Sequence, residues 1–188
     1  MSSKRAIPTM VHHSYLFLDQ RLKDAHLVHL CNEAQRASQA TAIFTRSVSE
    51  TRRVSLLLNT LNIGAISLQS DLSPSTRAAS LDKLRRKECH VVVTTDVAAG
   101  FGPMIPKVDR IINFSLVLWK LTPETYTKRI GNVKNHVGSS GLAITFVTQY
   151  DIEVYMRLEK ILGVPLAEYA VDMDMIMLCK GQVEEAAL

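Results

Sequence analysis

The hexapeptide HVVVTT, His90 to Thr95, constrains the fold more than any other stretch of the chain. It is β-branched and apolar on both faces, so as a strand it must be covered above and below. A central strand of a parallel sheet meets that condition. Five further runs read as strands: HHSYLFLD (12–19), TAIFTR (41–46), GAISLQ (64–69), DRIINF (109–114) and GLAITFV (141–147). Between them lie segments of helical period. In KDAHLVHLCNEAQR (23–36), Leu27, Leu30, Cys31 and Ala34 form one stripe, with His26 and His29 off it. SETRRVSLLLNTLN (49–62) offers Ser49 as N-cap and Val54, Leu57, Leu58 and Leu61 as its stripe, with Gly64 as a C-terminal stop. SPSTRAASLDKLRRK (73–87) opens on Ser73-Pro74, an N-cap and first-turn pair. Further helices are expected over about 122–130 and 151–163. Strand and helix alternate at about 20 to 25 residues per unit, which predicts an α/β fold: a parallel sheet with helices on both faces.

The chain has 188 residues, 47% hydrophobic and 21% charged, enough for one domain with a full core. Residues 1–10 read as a flexible lead-in without the apolar run of a secretory signal. Residues 11–165 read as the folded domain, and 166–188 as a partly helical extension whose methionines are packing groups. No apolar run approaches the roughly 20 residues of a bilayer span, so no membrane partner is expected. Cys31, Cys89 and Cys179 are odd in number and lack CxxC spacing, which argues against disulfides and against zinc. A reducing compartment, cytoplasm or nucleus, fits. The net charge of +4 is compatible with a polyanionic partner without requiring one.

Ligands of parallel sheets bind outside the carboxyl ends of the strands. The loops to inspect are therefore 45–49, 69–77, 95–106 and 129–141. They carry Thr45, Arg46 and Ser47; Arg77 in the first turns of a helix; Thr94, Thr95 and Asp96; and Lys128 and Arg129. The last loop belongs to YTKRIGNVKNHVGSSG (126–141), with glycines spaced as if backbone must approach something. There is no Gly-x-x-x-x-Gly-Lys-Ser/Thr loop and no paired acidic motif for magnesium. Nucleotide hydrolysis on such a sheet needs both a phosphate cradle and a metal, so this chain alone is not expected to perform it. No catalytic or metal-ligating residue is assigned.

Read in order, AIFTRS, SPSTRAASLDKL, VVVTTDVAA…IPKVDRIINF and YTKRIG…GLAITFVTQYD resemble motif IV, the Gln-x-x-Arg segment, motif V and motif VI with its following strand in the C-terminal RecA-like lobe of DEAD-box ATP-dependent RNA helicases. The resemblance runs from about Tyr15 to Leu162. FVTQYDI and KDAHLVHL look most similar to members that work in nucleolar ribosome assembly. It implies a RecA-like fold, RNA-backbone contact through Thr45, Arg77, Thr95 and Asp96, and an ATP-facing, interlobe surface at Arg129, Gly131, Asn132 and Asn135. It also implies RNA, an N-terminal RecA-like lobe of the same or another chain, and ribosome-assembly proteins as partners, in the nucleus or nucleolus. ATP and Mg would be held only together with that other lobe, and no cofactor is expected for this chain alone.

The departures from the family pattern fall on its functional positions. Pro74 stands for the glutamine of Gln-x-x-Arg, and Gln69 for a histidine ahead of it. GFGPMIP (100–106) replaces Arg-Gly-x-Asp, Lys128 replaces a histidine, and Asn132 and Asn135 replace the two arginines that reach ATP. A neutral amide cannot stabilise a transferring phosphoryl group, and arginine fingers are worth about 10³ to 10⁵ in rate. Whether the chain belongs to an enzyme is thus left open; the other reading is a non-catalytic interaction module in ribosome assembly, and a third is an altered helicase chain with no retained activity. Residue by residue, alternatives also stand. Arg77 is either an RNA contact or a solvated helix residue. Thr95 and Asp96 are either contacts or caps, and Arg129 either faces ATP or pairs with Asp96 to hold two loops together. Lys83, Arg85, Arg86 and Lys87 read as a solvated helix face. Trp119 reads as partly exposed, in core or loop packing or as a base-stacking platform.

Overall fold

The structure, a computed structural model, describes residues 11–100, 105–134 and 141–187. Seven strands form one sheet: β1 (Val11–Phe17), β2 (Thr41–Thr45), β3 (Ala65–Leu68), β4 (Val91–Thr95), β5 (Arg110–Asn113), β6 (Gly141–Val147) and β7 (Ala167–Glu168). Their spatial order is β3-β4-β2-β5-β6-β1-β7, and every pairing is parallel. The helices are α1 (Lys23–Arg36), α2 (Val48–Thr60), α3 (Pro74–Arg85), the four-residue α4 (Asp96–Ala99), α5 (Pro123–Ile130), α6 (Ile152–Leu162) and α7 (Met173–Ala186). HVVVTT becomes β4, buried along its whole length between β3 and β2.

Alternation along the strands divides the interior into two cores. Ala42, Phe44 and Val92 point to the face covered by α3, α5 and α6, where Leu81, Tyr126, Ile130 and Leu158 pack. Ile43, Val91 and Val93 point to the other face, where α1, α2 and α7 bring Leu27, Leu30, Val54, Leu58 and Ile176. Each such fully buried aliphatic side chain contributes about 1.5–3 kcal/mol of transfer free energy. Helices α2 and α5 leave neighbouring strands β2 and β5 toward opposite faces. The crevice at the carboxyl ends of that pair is a topological switch point.

Several local expectations are corrected. Helix α1 buries His26 and His29 along with its predicted stripe, because it is packed against both the sheet and α7. Helix α2 is capped by Ser47, whose hydroxyl accepts from the Glu50 amide, rather than by Ser49. Its stop is Asn62, in the left-handed region at φ 59°, rather than Gly64. Within the segment read as a partly helical extension, β7 lies beside β1, and α7 seats Ile176 and Cys179 in the core. The residues read as a lead-in, 1–10, lie outside the described residues. The three cysteines are buried free thiols, and burial pushes the Cys31 thiol up to about 12.

Helices α1, α2 and α3 end in the same turn. After each, a residue at positive φ (Ser38 53°, Asn62 59°, Lys87 60°) is followed by an amide that reaches back to a carbonyl in the last turn: Gln39 to Ala34, Ile63 to Leu58 and Glu88 to Lys83, at 2.8, 2.8 and 3.0 Å. These are Schellman motifs without glycine. A Cβ in the left-handed region costs about 1–2 kcal/mol, and the extra unfolded-state entropy of glycine offsets part of that. Ser38→Gly is therefore expected to raise stability by about 0.5–1 kcal/mol, read as a higher urea midpoint, whereas Ser38→Val lowers it.

Candidate phosphate-facing site at the carboxyl edge

The strand-end residues singled out above converge at the carboxyl ends of β2, β4 and β5, but their polar groups face one another. The Thr45 hydroxyl is buried, 3.1 Å from the Thr94 carbonyl and 2.6 Å from the Thr51 hydroxyl. Thr95, its register partner on β4, caps α4 by accepting from the Ala98 amide at 3.2 Å. Asp96 follows and meets Arg129 of α5 in a two-pronged pair: Nε to Oδ1 at 2.6 Å and Nη2 to Oδ2 at 2.8 Å. The remaining Arg129 nitrogen, Nη1, donates to Asn113 Oδ1 at 3.0 Å, and the guanidinium lies 4.8 Å from the centre of the Phe44 ring. Arg129 is only 4% exposed. The cap at Thr95 and the clasp between Asp96 and Arg129 are both present.

The polar chain continues inward. Asn113 donates to the Thr145 hydroxyl at 3.0 Å, and the Tyr126 hydroxyl, fully buried among the same groups, lies 2.9 Å from His13 Nδ1 on β1. Burial holds the His13 imidazole below its ordinary value, with His12 adding to the effect.

The end of α5, expected among the carboxyl-end loops, instead reaches the amino end of β5, where Val133 pairs with Val108, and is closed on itself. Gly131 is the helix C-cap, with ordinary negative φ. The Asn132 amide donates to the carbonyls of Lys128 and Arg129 at 3.1 and 3.2 Å, finishing the helix. Val133 then bridges Val108, and Lys107 Nζ donates to the Gly131 carbonyl. The close backbone approach implied by the glycines is made to the protein itself: a Cβ on Gly141 would overlap Val133 Cγ1. Asn135 and most of the GFGPMIP departure lie outside the described residues.

Arg77 is 4% exposed, which overturns its reading as a solvated residue; burial pushes its guanidinium pKa down. Lys83, Arg85, Arg86 and Lys87 are exposed as expected. Trp119 stands on a 3-10 turn (Leu118–Lys120) with 81% of its surface exposed, so it is not packed in its loop. Sequence reasoning missed a further group in the switch-point crevice. Lys23 Nζ donates to Ser115 Oγ at 3.1 Å, and Ser115 Oγ donates to Glu50 Oε1 at 3.1 Å. Burial pushes the Lys23 amine down, against the pull of Glu50 and Asp151. No spacing joins residues 92 apart.

The arginines of this edge are neutralised. Arg21 pairs with Asp19, Arg46 with Glu50, Arg52 with Asp71, Arg53 with Asp24 and Arg129 with Asp96. Among the described residues no cluster of three histidines, cysteines or carboxylates is placed to hold a metal ion, and none of their helices is long and apolar enough to cross a membrane. The described groups do not fit a γ-phosphate: the guanidinium at the end of α5 is engaged by Asp96 and the Asn132 amide by helix carbonyls.

Residues 22–134 match the model of the helicase conserved C-terminal domain. The ATP-dependent rRNA helicase RRP3 of Gibberella zeae is 46% identical over 173 residues, which is 92% of this chain and 34% of that protein. The ATP-dependent rRNA helicase rrp-3 of Neurospora crassa is 44% identical over 185 residues, 98% of this chain and 35% of that protein. The chain thus spans about a third of the length of the curated relatives it matches. Among solved structures, the Escherichia coli DEAD-box protein SrmB, crystallised with regulator of ribonuclease activity A, superposes with a TM-score of 0.77 at 26% identity, covering 87% of this chain and 92% of that one. The parallel sheet with helices on both faces is therefore the RecA-like fold of that neighbour.

Removing one partner of a buried pair leaves an uncompensated charge, at about 3–5 kcal/mol. The Asp96 side chain is 34% exposed, so Asp96→Ala is expected to cost about 2–4 kcal/mol in urea unfolding. Adding Arg129→Met restores part of the loss. The lowered pKa values of His13 and His26, both set first by burial, fix the sign of a pH dependence. As pH falls, the unfolded chain takes up these protons before the folded one does. Their stabilisation is therefore complete above about pH 6.5, the unfolded value, and is lost below it. The urea midpoint should be higher at pH 7.5 than at pH 5.5, and His13→Gln should narrow the difference.

Proposed function

The chain belongs to the helicase conserved C-terminal domain family, and on that premise we propose that it serves as the C-terminal lobe of a DEAD-box ATP-dependent RNA helicase acting in ribosome assembly. Its task is to contact an RNA backbone and to form the far wall of an ATP site completed by an N-terminal lobe, of the same or another chain. The identity to rRNA helicases over nearly the whole chain supports the substrate class, and a nuclear or nucleolar location follows from it. ATP and Mg would be bound only in the presence of the other lobe.

One observation carries the catalytic half of the reading: the Arg129 guanidinium is engaged by Asp96, and Asn132 offers an amide that is already bonded to helix carbonyls. Among the described residues no guanidinium at the end of α5 remains for a transferring phosphoryl group, and loss of such groups costs about 10³ to 10⁵ in rate. The same observation favours a second reading, in which the lobe is a non-catalytic module that holds a protein partner.

Mixing the chain with a competent N-terminal lobe of a related helicase, RNA and ATP, and measuring phosphate release, tests the proposal. Turnover is expected at least about 10³-fold below that of an intact enzyme. Release near the intact rate would refute the assignment of a degenerate ATP wall.

A further inference from the structure

At the amino edge of the sheet, opposite the loops that follow β2 and β4 and beside the end of α5, the charge is not balanced. Helix α3 ends in Lys83, Arg85, Arg86 and Lys87, all exposed, and its left-handed turn at Lys87 leads into β4. The adjacent strand β2 begins beside it, with the Thr41 amide donating to the His90 carbonyl at 2.8 Å. The exposed Arg36, at the end of α1, lies just before that strand. On the other side of β2, Lys107 precedes β5. The carboxylates of this edge are already engaged. Asp82 is bonded by Arg85 at 2.7 Å, Glu88 meets Arg86 at 3.6 Å, and Asp109 is held by Lys134 at 2.9 Å and by the Ala40 amide at 2.8 Å. Among the described residues, no carboxylate lies within 4.0 Å of Arg36, Lys83, Lys87 or Lys107. The carboxyl edge is the reverse: Arg21, Arg46, Arg52, Arg53 and Arg129 each stand on an acid.

We propose that this amino edge, centred on Lys83, Arg86 and Lys87 with Arg36 and Lys107 flanking, is a binding surface for the phosphate backbone of single-stranded RNA, separate from the strand-end loops. The argument is charge complementarity: these exposed cations, of which Arg86 alone has a carboxylate within 4.0 Å, Glu88 at 3.6 Å, release the condensed ions of a polyanion on binding. Contacts of this kind position a strand without reading its sequence. The proposal rests on the reading of the chain as part of an RNA helicase.

The test compares the chain with its triple variant Lys83→Gln, Arg86→Gln, Lys87→Asn, where asparagine tolerates the left-handed turn. Fluorescence anisotropy with a labelled oligouridylate is read at 50 and 200 mM salt, after a urea midpoint shows the variant folded. Each phosphate contact on a single strand contributes about 0.7 to the slope of log K against log salt. Loss of three should lower the slope by about 2 and the affinity at 50 mM by about tenfold or more. In the parent, added RNA should shift the amide resonances of residues 83–90 rather than those of 45–47 and 95–96, a readout independent of the variant. Unchanged slope and affinity in the variant, with the parent binding, would overturn this surface and leave the proposed function standing. A parent that binds no RNA at 50 mM would remove both. Displacement of RNA by polyglutamate at equal charge would overturn the assignment to RNA in favour of an acidic polypeptide.

Discussion

The Asp96–Arg129 clasp is the interaction on which the carboxyl edge depends. It joins the turn after β4 to the last turn of α5, across β2 and β5, and its guanidinium lies over Phe44 in the core. A buried ion pair of this sort is not a large source of net stability, since desolvation offsets much of the attraction. Its effect is geometric. With Nη1 on Asn113, the guanidinium has few productive alternatives, and Asn113, Thr145 and Tyr126 extend that order to β1. The carboxyl edge is a set of loops bonded to each other.

The layout of the sheet was legible because it follows from repeated local patterns. HVVVTT can only be an interior strand, and the stripe Leu27, Leu30, Cys31, Ala34 can only be a helix face. What stayed hidden depends on distant partners. Strand β7 is two residues long and exists only because β1 offers it a backbone edge. The burial of His26 and His29 required α7, 140 residues or so further on, to pack beside α1. The cap of α2 is decided by which serine takes extended backbone, Ser47 at φ −151°, and both serines satisfy the composition rule. The pairing of Asp96 with Arg129 could be posed as one of two alternatives from sequence, but residues 33 apart had to be placed before one could be selected.

The asparagine at position 132 serves the fold in which it stands. Its short amide closes the helix from which it springs. The contact is locally favourable, because the last carbonyls of a helix otherwise need water or another donor.

Pairing of the first strand with two late ones has a consequence for biogenesis. Val11 meets Gly141 and Tyr15 meets Glu168, so β1 has no neighbour in the sheet until about 130 residues more have left the ribosome. At roughly 5–20 residues per second that wait lasts on the order of ten seconds. During it the nascent chain carries an aromatic, unpaired strand with two histidines within it, an open edge of the kind that chaperones shield. A sheet that serves as a scaffold for loops is, during synthesis, a late-closing assembly, its first strand waiting for its last two partners.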